Sequence, residues 1–166
     1  VLKPYYRVDE CLAQMKECLD IGWTGMGFKT VEFEDEWKKY TGLKNAHFIN
    51  SATSGLHIAV RLLKEENNWK DGDEIISTSF TFVSTNHAIR YENLSPVFAD
   101  IDLNTLGMNT DAIISKVNKN TKAVFLSYIQ GFNCLTKKLY DYLKKKKILL
   151  IEDVCESHGA KFKNKK

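Results

Sequence analysis

The sequence predicts an α/β fold of three layers, an αβα sandwich with a mostly parallel sheet in the middle. Two observations carry this. From about Ala46 onward, strand-like and helix-like segments alternate, with no repeats and no low-complexity linker. Most of the strand-like segments are continuous apolar runs, as in strands covered on both faces. Right-handed crossovers then bring every strand-to-helix turn to the same edge of the sheet.

Two helices precede the alternating region. The first spans residues 9–21, with Leu12, Met15 and Leu19 at helical spacing. The second spans 30–40, with Val31, Phe33, Trp37 and Tyr40 apolar, Thr30 as N-cap and Gly42 just past the end. A glycine-rich loop, Gly22-Trp23-Thr24-Gly25-Met26-Gly27, joins them. The alternation then reads strand 47–50, helix 53–66, strand 74–79, helix 83–91, strand 96–101, a helix capped by Asn109 or Thr110 through 117, strand 123–128, helix 135–145 and strand 148–152. Asp71-Gly72-Asp73 is a turn. The expected division is an N-terminal helical segment, 1–45, and a ligand-binding part, 46–166.

Composition narrows the function. The 166 residues are 43% hydrophobic and 27% charged, as in a globular protein with a real core. The net charge of +3 is concentrated in two lysine clusters, 144–147 and 161–166. The first closes a predicted helix, where cations suit the dipole, so nucleic acid is not the expected partner. Cys11, Cys18, Cys134 and Cys155 form no CxxC pair and have no histidine at zinc-ligand spacing. Free thiols in a reducing cytoplasm, with no metal, are the expectation. No apolar run approaches the ~20 residues of a membrane helix, and no signal peptide is evident.

In open α/β sheets, ligands bind at the carboxyl ends of the strands. Three such ends carry chemistry. Asn50-Ser51-Ala52-Thr53-Ser54-Gly55 opens a helix directly. Its small residues, hydroxyls and free helix N–H groups suit an anion, although Ser and Thr are also ordinary caps. Ser79-Phe80-Thr81-Phe82 offers aromatics that either stack on a flat ring or fill the core. Ile151-Glu152-Asp153 places two acids after an apolar strand, where adjacent side chains point to opposite faces. One can meet a ligand while the other is tied elsewhere; the alternative is a plain acidic turn. Together they suit a protonated heteroaromatic ring bearing a phosphate. Pyridoxal 5'-phosphate (PLP) is such a molecule, and a carboxylate on its ring nitrogen makes it an electron sink.

At these residues the sequence resembles the DegT/DnrJ/EryC1/StrS family, nucleotide-sugar aminotransferases of PLP fold type I. The resemblance runs from Gly22-Trp23-Thr24 through Ser51-Ala52-Thr53-Ser54-Gly55-Leu56-His57, Phe80-Thr81-Phe82-Val83-Ser84-Thr85 and Pro96-Val97-Phe98-Ala99-Asp100 to Ile151-Glu152-Asp153 and His158-Gly159-Ala160. It implies that Thr53 and Ser54 bind the cofactor phosphate, Phe82 stacks on the pyridine ring and Asp153 holds the ring nitrogen. It further implies that Glu156 lies near the ring hydroxyl, and that Trp23 and Thr24 face the sugar. A histidine common in the family is missing where this chain has Leu126-Ser127-Tyr128. The family's Schiff-base lysine lies well downstream of the Glu-Asp motif, whereas Lys166 is only 13 residues past Asp153. No lysine here, Lys161, Lys163, Lys165 and Lys166 included, is assigned that catalytic role, and the chain is expected to be a fragment, inactive alone. The implied function is transamination of a 4-keto or 3-keto nucleotide sugar, with glutamate as donor, by a homodimer, for surface-polysaccharide or glycan biosynthesis. A dehydratase of the same family, with His in place of the lysine, and a non-catalytic truncated partner subunit stay open.

Overall fold

The computed structural model describes residues 3–162. Lys163–Lys166, the end of the second lysine cluster, lie outside them. The chain divides into two compact units, Val1–Phe48 and Ile49–Lys166; the expected division lay three residues earlier.

The first unit holds α1 (Val8–Ile21) and α2 (Phe28–Thr41). Gly22 ends α1 in the left-handed conformation that a Cβ disfavours, at φ 75°. Gly27, not Thr30, caps α2, and Thr30 sits one turn inside it. Phe33 anchors a small aromatic cluster, with Trp37 at 6.1 Å and Phe48 at 5.6 Å between ring centroids.

The second unit runs α3 (Ala52–Glu66), β1 (Glu74–Ser77), α4 (Val83–Tyr91), β2 (Ser95–Phe98), α5 (Thr110–Lys116), β3 (Thr121–Ser127), a 3-10 turn (Ile129–Gly131), α6 (Lys137–Lys146) and β4 (Leu149–Asp153). The strands form one sheet in the order β2-β1-β3-β4, every pair parallel. The expected strand at 47–50 is absent. A strand exists only where a neighbour completes its ladder, and here the Phe48 N–H donates instead to the Glu34 carboxylate, at 2.7 Å. The expected start of the sixth helix at Leu135 also moves. Thr136 is its N-cap, accepting the Leu139 N–H at 3.1 Å, and Leu135 is buried ahead of it.

The strands carry consecutive apolar residues because neighbouring positions feed two cores. Ile75, Ala123, Phe125 and Ile151 pack with Val60 of α3 and Ala88 and Ile89 of α4. Ile76, Val124 and Leu126 pack on the opposite face with Ile113 of α5 and Leu139 and Leu143 of α6. The sheet is therefore the middle of three layers. Phe125, fully buried on β3, is among the largest of these side chains. Phe125→Ala is expected to lower the unfolding free energy by about 3–5 kcal/mol. Leu103→Ala, at a residue 84% exposed, should change it by under about 0.5 kcal/mol. Urea titration of both variants checks this.

Candidate active site

With both faces covered, the sheet meets a ligand at its edge. From β1 the chain crosses by α4 to β2 on one side; from β3 it crosses by α6 to β4 on the other. The strand order reverses between β1 and β3, which leaves a crevice at their carboxyl ends. A cleft of about 210 Å³ opens there.

The N-terminus of α3 forms one wall. Ser51 caps it by accepting the Ser54 N–H at 3.2 Å. The N–H groups at Ala52 and Thr53 precede the helix's own hydrogen bonding, and both residues line the cleft. Ser54 is set back from the wall in the same turn, its hydroxyl 3.0 Å from that of Ser51. The 15 residues of α3 supply a full dipole behind this end. Of the two aromatics flanking Thr81, Phe82 is the one that lines the cleft; the residue is 70% exposed.

The adjacent acids separate as strand geometry requires. Asp153, 9% exposed, reaches the cleft. Its Oδ2 accepts the Thr85 hydroxyl at 2.9 Å and its Oδ1 accepts the Cys155 N–H at 3.2 Å. Glu152 points away and accepts a hydrogen bond from the Tyr128 hydroxyl. Glu156 also lines the cleft, but its carboxylate accepts the Gln130 N–H. It braces the 3-10 turn: Gly131, at φ 80°, has the Glu156 carbonyl 3.0 Å from where a Cβ would stand. Trp23 and Thr24 belong to the first unit, in the loop between α1 and α2. There the Trp23 indole N–H donates to the Met26 carbonyl at 2.9 Å, and a Cβ at Gly27 would collide with the indole.

Sequence reasoning passed over Thr81, Thr85, Ser127, Tyr128 and Cys155. Thr81 donates to the Ser127 hydroxyl at 2.8 Å and lies 3.2 Å from that of Thr85. A spacing of four at a helix start puts Thr81 and Thr85 on one side, the only sequence signal for this pair. Two cleft groups are held in their neutral forms. Burial, reinforced by the Glu152 carboxylate, pushes the Tyr128 phenol well above its usual range. Burial, then the hydrogen bond and charge of Asp153, push the Cys155 thiol up to about 11.

Free N–H groups at a helix start, an uncovered aromatic ring and a buried carboxylate with unused lone pairs all face one cleft. That set fits a planar, protonated heteroaromatic ring carrying a phosphate.

The model of the DegT/DnrJ/EryC1/StrS aminotransferase family matches residues 6–166. An uncharacterized protein of Methanocaldococcus jannaschii is 34% identical over 95% of this chain and 40% of its own length. The GDP-perosamine synthase of Vibrio cholerae is 32% identical over 92% of this chain and 41% of its own. The chain thus spans about 40% of the length of these relatives. Among solved structures, the E. coli GDP-4-keto-6-deoxy-D-mannose-3-dehydratase with bound hydrated PLP superposes with a TM-score of 0.90. It is 26% identical, covering 100% of this chain and 43% of that one. The chain belongs to the DegT/DnrJ/EryC1/StrS aminotransferase family.

Proposed function

We propose that this chain supplies the cofactor-holding side of a PLP-dependent enzyme that transfers an amino group to a keto nucleotide sugar. The observation that carries the reading is the convergence of the α3 N-terminus, the Phe82 ring and the Asp153 carboxylate on one cleft, in a member of this family. Thr53, Ser54 and the first N–H groups of α3 take the phosphate. Phe82 covers one face of the ring, Asp153 accepts from the protonated ring nitrogen, and Glu156 stands at the ring's hydroxyl side. Trp23 and Thr24 meet the sugar, on the resemblance alone. Bound there, PLP supplies the electron sink that lets a proton leave the substrate carbon.

The proton itself needs a base, and the cleft offers a poor one. The Cys155 thiol and Tyr128 phenol stay protonated at neutral pH, and Glu156 is bonded to the Gln130 backbone. Asp153 is committed to Thr85 and the Cys155 N–H. This supports a lysine from sequence outside this chain as proton carrier and cofactor anchor, with glutamate as amino donor and a homodimer as the assembly. The superposition on a dehydratase supports a second reading, removal of a sugar hydroxyl by the same cradle with histidine in the lysine's place.

Borohydride reduction of the complete PLP-loaded protein, followed by peptide mass spectrometry, separates these. Transamination predicts a pyridoxyl group on a lysine; the dehydratase reading predicts none. Phe82→Ala should weaken PLP binding about three- to tenfold through lost stacking, measured by absorbance titration. The Cys155 thiol is neutral below about pH 11. Its alkylation by iodoacetamide should therefore be slow at pH 8 and accelerate toward pH 11, followed by mass spectrometry.

A further inference from the structure

Thr85 has no place in the functions assigned so far, yet it makes the hydroxyl contact to the carboxylate on which the proposed cofactor site turns. It is 0% exposed, on the first turn of α4, and no ligand in the cleft can reach it directly. A carboxylate only accepts, so the single hydroxyl proton of Thr85 goes to Asp153 Oδ2, across 2.9 Å. The Thr85 oxygen lies 3.2 Å from that of Thr81, whose own proton goes to the Ser127 hydroxyl at 2.8 Å. Ser127 ends β3, paired in register with Asp153 at the end of β4. One hydroxyl, that of Thr85, thus reaches the carboxylate, with those of Thr81 and Ser127 lined up behind it.

The contact joins elements that no sheet hydrogen bond links: α4 packs on one face of the sheet, and β4 lies two strands away from β1, which leads into α4. The Cys155 N–H fixes only Oδ1 and lies two residues along the same loop. Without Thr85 only the 3.2 Å contact from the Cys155 N–H would hold the carboxylate, whose χ2 well is broad. With it, one carboxylate orientation is selected before any ligand arrives.

We infer that Thr85 is a positioning residue that acts only through Asp153, setting the carboxylate plane that receives the ring nitrogen. The inference rests on the reading of Asp153 as the ring-nitrogen partner.

The test is a double-mutant cycle on PLP affinity in the complete protein, read by absorbance titration, with thermal midpoints recorded alongside. Thr85→Val keeps the shape and removes the donor; Thr85→Ser keeps the donor. The expected result is a PLP Kd about ten- to a hundredfold weaker in Thr85→Val, from loss of a hydrogen bond to a charged group. Thr85→Ser should stay within about threefold of wild type. In an Asp153→Asn background, Thr85→Val should add almost no further loss, because the partner it serves is gone. Equal affinity in Thr85→Val and wild type overturns the inference. So does a loss that persists in full in the Asp153→Asn background, which marks a packing role. A wild-type Kd in Asp153→Asn alone removes the reading of Asp153 itself, and is distinguishable because it does not involve Thr85.

Discussion

Everything functional in the second unit follows from a parallel sheet buried on both faces. Consecutive strand residues feed two separate cores, so Ile75 and Ile76, or Phe125 and Leu126, leave no face free for a ligand. What remains is the edge where strands end and helices begin. Parallel pairing brings all four carboxyl ends to that edge, and the reversal of strand order between β1 and β3 opens the crevice. Residues far apart in sequence, Thr53, Phe82 and Asp153, become neighbours for this reason.

The same geometry explains why Glu152 and Asp153 do different work. Pleating sends them to opposite faces. The exposed Glu152 is held by the Tyr128 hydroxyl, while Asp153 enters the cleft with both oxygens bonded. The cleft is thus electrostatically prepared but chemically quiet: it holds acceptors and neutral hydroxyls, and its thiol and phenol are kept protonated. In the proposed reading, such a cradle holds and orients the cofactor, and proton movement falls to another group.

Much of this was legible from the residues. The continuous apolar runs predicted a two-sided parallel sheet, and all four observed strands fall on predicted ones. The 47–50 strand was misread because its apolar pattern is that of a strand, while ladder formation depends on a neighbour that no local pattern reveals. Helix starts moved by one to two residues where a cap won over apolar periodicity, as at Gly27 and Thr136. In the site, Thr53, Phe82, Asp153 and Glu156 line the cleft, and Ser54 sits behind it. What sequence could not show was the packing around them. Thr85 is one hydroxyl among several near a helix start, and only the tertiary fold carries it across to Asp153. Glu156 likewise gained a partner, the Gln130 backbone, that depends on a turn with a left-handed residue in it.

In the proposed site PLP lies in this cleft with its phosphate on α3 and its ring nitrogen on Asp153. A crystal structure of the complete protein with PLP bound tests it most directly. The expected complex has phosphate oxygens within hydrogen-bond distance of the Ala52–Thr53 backbone, the Phe82 ring stacked on the pyridine, and the ring nitrogen about 2.7–3.2 Å from the Asp153 carboxylate. A cofactor bound elsewhere, or a ring nitrogen turned away from Asp153, would contradict it.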